Sequence, residues 1–163
     1  MSTPLLAIGS EPLAIDRLIV AVSDRGTATG SDGAVTTFLG LVRNHNLGRV
    51  VTHLEYEAYE ALALRAFERI SAEAETRWPG VRLAIHHRTG RIEIGGASVA
   101  IAAASAHRGH AFAACRYSIE RIKQIAPIWK REFFDGGDIW IEGATADPDD
   151  VSAREQAERV SCA

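Results

Sequence analysis

The segment 105–132 limits the possible folds of this chain more than any other part of the sequence. It follows a run of small and apolar residues, 97–104, whose composition is typical of a buried strand. Apolar residues then recur every three or four positions, the period of an amphipathic helix; they are Phe112, Cys115, Ile119, Ile122 and Ala126. Pro127 ends the helix, because proline has no backbone N–H and disfavours helical geometry in the preceding residue. The sequence therefore predicts a buried strand followed directly by a long helix.

The same segment concentrates positive charge. It holds six Lys or Arg against two Glu, a net charge of +4, so the rest of a chain with net charge −3 carries −7. The six are Arg108, Arg116, Arg121, Lys123, Lys130 and Arg131. A compact basic segment in an acidic chain indicates an anionic ligand bound at one place, and it argues against general nucleic-acid binding.

Length and composition indicate one ordinary soluble domain. Of 163 residues, 47% are hydrophobic and 24% are charged. We expect a single domain over residues 1–143 and a polar C-terminal tail over residues 144–163. No apolar run reaches the roughly 18 residues of a membrane span, and the N-terminus does not resemble a signal peptide. Two cysteines, Cys115 and Cys162, form no disulfide framework, so we expect a cytoplasmic location.

The remaining segments predict an α+β domain with a mainly antiparallel sheet and two long helices. Strand patterns occur at 5–8, 34–42, 50–59, 81–85 and 139–142, and helical spacing occurs at 15–22 and from 59 to Trp78. We expect 34–42 to be largely buried and to pair with 50–59 as a hairpin across the polar connection 43–48. Segment 24–33 is rich in Gly, Ser, Thr and Asp, which predicts a mobile loop.

Two lysines near the end of the predicted helix are candidates for chemistry. Lys123 lies at the border of the apolar face, where partial burial lowers a lysine pKa and favours nucleophilic or acid–base roles. The alternative is a solvated lysine that extends beside Glu120. Lys130 follows across the proline break, so both ammonium groups face one pocket if the chain doubles back there.

Three further residues can bind an anion. His107 and Arg108 follow the buried strand, and Arg43 follows another predicted strand, which are positions where rigid elements present functional groups. Arginine also suits bidentate recognition of phosphate or carboxylate. The histidines lack the spacing of a metal site, and Ser105 lacks the Gly-x-Ser-x-Gly surroundings of a catalytic serine, so we expect neither a metal nor a triad.

Five ordered motifs carry a family resemblance, which spans roughly residues 34–142. They are Phe38-Leu39-Gly40-Leu41-Val42-Arg43-Asn44, Leu54-Glu55-Tyr56-Glu57-Ala58-Tyr59, His87-Arg88-Thr89-Gly90, Ser105-Ala106-His107-Arg108 and Pro127-Ile128-Trp129-Lys130-Arg131-Glu132. Together they resemble the catalytic (large) subunit of molybdopterin synthase. The chain departs from that family in the loop 24–33 and after Trp140, where Gly143-Ala144 replaces a segment that is basic in some members.

The resemblance implies an α/β-hammerhead fold, a homodimeric core within a heterotetramer, and a small ubiquitin-like partner that carries sulfur as a Gly-Gly thiocarboxylate. The implied reaction is sulfur transfer to cyclic pyranopterin monophosphate, which forms the dithiolene of molybdopterin without a cofactor. Position by position, Lys123 matches the essential lysine and Lys130 a second active-site lysine. His107, Arg108 and Arg43 match residues of the anion pocket. The alternative is a non-catalytic module that binds a phosphate ligand or the partner's tail.

Overall fold

The computed structural model describes residues 3–24, 30–141 and 143–163 of the chain. Four helices are present in this part: α1 (Ile15–Asp24), α2 (Glu60–Arg77), α3 (Arg108–Ile125) and α4 (Val151–Ser161). The strands are β1 (Leu6–Gly9), β2 (Ala34–Leu41), β3 (His45–Asn46), β4 (Arg49–Ala58), β5 (Arg82–Arg88), β6 (Gly90–Glu93), β7 (Ala97–Ser105), β8 (Ile128–Phe134) and β9 (Gly137–Ile141). The predicted α+β class is confirmed, and none of these helices is long and apolar enough to cross a membrane.

The strands form two sheets, one of four strands and one of five. The first sheet has the order β1-β5-β7-β2, with only β1 parallel to its neighbour. The second has the order β3-β4-β8-β9, and β6 pairs with the other edge of β4. Its strand pairs are all antiparallel. The mainly antiparallel sheet predicted from the sequence is therefore two sheets, and the chain first passes between them where β2 leads into β3.

Helices cover both faces of the first sheet. β7 is the buried strand predicted from its composition, because every residue after Ala97 in it is buried. One of its faces packs with α2, α3 and α4 in the main core, and the other packs with α1. The second sheet has its own small core of Val42, Val51, Leu54 and Ile92, against which Tyr56 packs.

The predicted hairpin between residues 34–42 and 50–59 is wrong. β2 pairs along its length with β7 instead, and β4 pairs with β3, β6 and β8. As the last strand in its sheet, β2 is also less buried than predicted, and Leu41 is 56% exposed. β2 pairs with a strand distant in the sequence, whereas adjacency across the polar connection 43–48 suggested β4 as its partner.

The apolar face of α3 also differs from the prediction in two places. Phe112 is 65% exposed, whereas Arg121 is completely buried. Arg121 donates to both carboxylate oxygens of Glu73 in α2, at 2.9 Å each. The segment expected as a polar tail contains α4, which buries Ala153 and Ala157. Of the predicted loop 24–33, residues 25–29 lie outside the described residues, and Asp24 is the last residue of α1.

Candidate active site

Lys130 lies in β8, between β4 on one side and β9 on the other. Burial lowers the pKa of this half-buried lysine, the nearby Glu132 carboxylate opposes that effect, and the positive charges of Lys123 and Arg43 lower the pKa further. Lys123 and Arg43 therefore both lie near Lys130. The structure thus gathers Arg43, Lys123 and Lys130 into one cationic cluster.

The proline break brings the two lysines together. Lys123 lies in the last turn of α3 and its side chain is exposed. Ala126 has an extended backbone (ψ 127°) in front of Pro127, so the helix stops and the chain turns into β8. Backbone N–H groups of Thr145 and Ala146 both donate to the Gln124 carbonyl at 2.9 Å, which fixes the end of the helix. The exposed Lys123 side chain therefore extends from a helix end whose backbone is held in place.

Arg43 reaches the cluster from the joint between the two sheets. The buried Val42 before it exchanges backbone hydrogen bonds with the turn before β7: its N–H donates to Gly96 at 2.9 Å, and its carbonyl accepts from Gly95 at 2.8 Å. The exposed Arg43 side chain thus starts from a firmly held backbone. Arg43 thus follows the strand that the sequence predicted before it.

Glu132 is a site component that the sequence interpretation missed. Its carboxylate is buried and accepts hydrogen bonds from Asn46 Nδ2 at 2.8 Å and from Arg49 Nε and Nη2 at 3.2 and 3.1 Å. Two residues from Lys130 on the same strand, it lies on the same face of the sheet. It partly balances the cluster and ties β8 to the β3–β4 hairpin. Strand periodicity applied to β8 identifies it, but that strand was not predicted.

His107 and Arg108 occupy the opposite end of α3. They line a surface pocket with Gly33, Ala106 and Gly109, where the N-terminus of the helix favours negative charge. At 1.5 Å per residue, the helix separates Arg108 from Lys123 by about 22 Å. One chain therefore does not bring these two residues to the cationic cluster.

Metal ligands are not grouped in the part of the chain that the structure describes: no three His, Cys, Asp or Glu side chains there form a potential metal site. The chemistry available from the described residues is that of cations around an anionic ligand. A half-buried amine with a lowered pKa can exchange a proton, and two neighbouring cations can stabilise negative charge that develops beside it.

The family described as "MoaE protein" matches residues 8–125, well over half of the chain. The chain belongs to the MoaE family. The matched region of this MoaE chain contains Arg43, His107, Arg108 and Lys123, and ends shortly before Lys130.

Named relatives and solved structures agree with this membership. The molybdopterin synthase catalytic subunits of Nostoc sp. and Bacillus subtilis are 44% and 45% identical, covering 83% and 82% of this MoaE chain and 80% and 82% of theirs. The crystal structure of molybdopterin synthase from Staphylococcus aureus superposes with a TM-score of 0.80 at 36% identity, covering 86% of this chain and 98% of that one. A Helicobacter pylori complex of subunits 1 and 2 of molybdopterin-converting factor gives 0.69 at 27% identity, covering 85% and 91%.

Proposed function

We propose that this chain is the catalytic subunit of a molybdopterin synthase. It transfers sulfur from the thiocarboxylated C-terminus of a small partner protein to cyclic pyranopterin monophosphate, and thereby forms the dithiolene of molybdopterin. The observation that carries the proposal is the cluster of Arg43, Lys123 and Lys130 where α3 meets β8. The names of its 40–45% identical relatives support it.

The cationic cluster suits this reaction because both reactants are anions. A thiocarboxylate and a cyclic phosphate repel each other, and three cations at one place attract both and screen that repulsion. Each transfer forms a carbon–sulfur bond on the pterin substrate as a carbon–oxygen bond there breaks, and hydrolysis of the carbonyl–sulfur bond leaves the partner's C-terminus as a carboxylate. The reaction exchanges no electrons with an outside carrier and so needs no redox cofactor.

The two lysines are placed for different tasks. Lys123 is exposed on a fixed helix end, so its long side chain reaches toward a bound ligand and can activate the reacting carbon or carry a proton. Lys130 is half-buried in a strand, and its lowered pKa favours donation of a proton as negative charge develops. We assign Arg43, His107 and Arg108 to binding of phosphate and pterin.

The assembly we propose is a homodimer core with one small partner at each end. The related Helicobacter pylori structure is a complex of two different subunits, which supports a partner for this chain. About 22 Å of helix separates Arg108 from Lys123, so a second copy is the simplest source of the anion-binding pair for each cluster. We also propose that the protein acts in the cytoplasm, where its free cysteines stay reduced.

Substitution of Lys123 tests the proposal directly. Lys123→Ala keeps a good helix former at an exposed position, so the fold and partner binding survive. Conversion of cyclic pyranopterin monophosphate, with thiocarboxylated partner supplied, should fall roughly a hundred- to ten-thousandfold. Lys123→Arg keeps the charge without a transferable proton and separates electrostatic from proton-transfer roles. Arg116→Ala, an exposed cation earlier on α3, is the control and should retain activity.

Near-normal conversion by Lys123→Ala would rule out the catalytic assignment. A non-catalytic module that binds a phosphate ligand predicts a different pattern, in which Lys123→Ala weakens pterin binding and no product forms even with the unaltered protein. A module that binds only the partner's tail predicts complex formation without any effect of the pterin. Light scattering of the mixed chains should give a mass near two copies of each.

A further inference from the structure

Tyr56 stands beside Lys130 in the second sheet. The two residues are direct partners in the antiparallel pair of β4 and β8, so both side chains project from the same face, with Cβ atoms about 4.5–5.5 Å apart. On the other side of β4, the partner of Tyr56 is Gly90, which has a φ of 78° and no side chain. The Tyr56 ring therefore has a bulky neighbour on only one side along the sheet, and that neighbour is Lys130.

The Tyr56 side chain spans the gap between the two sheets. Its ring meets the His87 ring of β5 edge-on, with centroids 5.2 Å apart and an interplanar angle of 66°. Its hydroxyl forms a hydrogen bond with Ser98 of β7, and the Ser98 hydroxyl donates to the Gly40 carbonyl of β2 at 3.2 Å. β2 leads directly to Arg43. Tyr56 is thus paired with Lys130 on β8 and linked through Ser98 to β2, the strand that precedes Arg43.

The groups of the first sheet that contact the ring, His87 and Ser98, are uncharged. Burial lowers the pKa of His87 to about 4, so its imidazole is neutral at physiological pH and adds no further cation beneath Tyr56. Burial also raises the pKa of Tyr56, and the hydrogen bond with Ser98 offsets this only in part, so the phenol stays protonated. The charged groups that face Lys130 are Glu132, Lys123 and Arg43. The Tyr56 ring is therefore an uncharged neighbour of Lys130 on the β4 side.

We propose that Tyr56 is a positioning residue of the reaction centre, whose ring excludes water from Lys130 and holds its ammonium group toward Arg43 and Lys123. The proposal deepens the proposed function, on which its catalytic consequence rests. In this arrangement the ring acts through Lys130, and the hydroxyl serves only to fix the ring to the first sheet.

Chemical labelling of Lys130 tests the placement without any assay of activity. The whole protein is treated with trace acetic anhydride between pH 7 and 11, and acetylation of Lys130 is quantified by mass spectrometry. In the unaltered protein the midpoint should lie below the ordinary lysine value of about 10.4. Tyr56→Ala should move it up toward that value, because water then reaches the amine, whereas Tyr56→Phe should leave it unchanged. Tyr56→Val, which favours strands, replaces Tyr56→Ala if the latter does not fold.

Leu54→Ala is the matched control. Leu54 lies on the same strand and face and is buried, but its partner on β8 is Glu132 rather than Lys130. A general loosening of the sheet would shift the Lys130 midpoint in Leu54→Ala as well, and that result would overturn the proposal. An unchanged midpoint in both Tyr56→Ala and Tyr56→Val would overturn it too.

The turnover number completes the test. Tyr56→Ala should lower kcat roughly ten- to a hundredfold with little change in KM for the partner, since a displaced amine reacts poorly. Tyr56→Phe should remain close to the unaltered enzyme. An equal loss in Tyr56→Phe would make the hydroxyl a reacting group and refute a role through the ring. If the unaltered protein forms no product, the proposed function fails while the labelling result still decides the role of Tyr56.

Discussion

At the scale of single residues, the two cysteines occupy opposite environments. Cys115 is buried on α3, and burial raises the pKa of its thiol to about 11, while Cys162 is exposed near the C-terminus. Because the thiolate is the reactive form, we expect a thiol reagent to modify one cysteine per native chain and two after denaturation. Cys162→Ser should abolish the fast reaction. A fast reaction that persists in this variant would contradict the buried placement of Cys115.

Protonation of His87 should destabilise the fold at acid pH. Burial lowers its pKa from 6.5 to about 4, and a hydrogen bond with the Arg88 carbonyl only partly opposes this. Between these values the unfolded chain binds a proton that the folded chain does not, so stability decreases as the pH falls from 6.5 to 4. The loss should be roughly 3 kcal/mol.

Urea unfolding at pH 7, 5 and 4 measures this loss. His87→Phe keeps a ring against Tyr56 but cannot titrate, so its free energy of unfolding should fall less over the same pH interval. If the free energy of unfolding fell equally for the two proteins between pH 7 and 4, His87 would not control acid stability.

Arg121 shows which residue properties the sequence could not reveal. Arg121 belongs to the basic segment for which the sequence predicts an anionic ligand. In the structure it donates instead to both carboxylate oxygens of Glu73, 48 residues earlier in the chain. Lys123, two positions away, is exposed. Helical spacing located both residues on α3, but only the packing of α2 distinguishes an internal ion pair from a site cation.

At the scale of elements, a buried ionic network joins α2 to α3. Arg121 donates to Glu73 and to Gln124 Oε1, and the Tyr117 hydroxyl donates to Glu73 at 2.7 Å. Burial raises the pKa of Glu73, but the hydrogen bonds from Arg121, Tyr117 and Arg69 outweigh it and leave the pKa below its usual range. The network therefore depends on both charges being present.

Removal of one charge should destabilise the helix pair strongly. Arg121→Met leaves the partly buried Glu73 without its main partner, and the free energy of unfolding should fall by about 3 kcal/mol, measured in urea. Adding Glu73→Gln should recover part of that loss, because no charge is then left unpaired. Arg91→Ala, which breaks an exposed pair with Glu93, should change stability little. An Arg121→Met variant as stable as the unaltered protein would refute the role of the network.

Elements whose own residues repeat with a clear period were predicted well, and pairings between elements were not. The helical spacing of α2 and α3, the small residues of β7 and the stop at Pro127 are local signals, and the structure agrees with them except at the exposed Phe112 and the buried Arg121 of α3. β8 escaped prediction because Lys130 and Glu132 point toward the inner face, which breaks the alternation of apolar and polar residues. The same two charged residues of β8 that obscured the strand pattern belong to the candidate site.

At the scale of the whole molecule, α3 divides the site residues into two groups. Arg43, Lys123 and Lys130 cluster at its C-terminal end, while His107 and Arg108 lie about 22 Å away at its N-terminus. The sequence motifs contain Arg43, His107, Arg108 and Lys130, and helical spacing placed Lys123, but neither signal indicates which copy of the chain supplies each residue. A two-fold dimer that joins the groups of opposite copies would complete two sites at once.

Mixing of variants tests that arrangement. Lys123→Ala and Arg108→Lys should each lower conversion strongly when assayed alone, the second because an ammonium cannot reproduce a bidentate contact with phosphate. In a mixed dimer, one site receives both defects and the other receives neither, so random re-association should restore about a quarter of the sites. Conversion is measured after unfolding and refolding the two variants together, with separately refolded variants as the control. If each copy supplied its own complete site, every site in the mixture would keep one defect, and co-refolding would restore nothing.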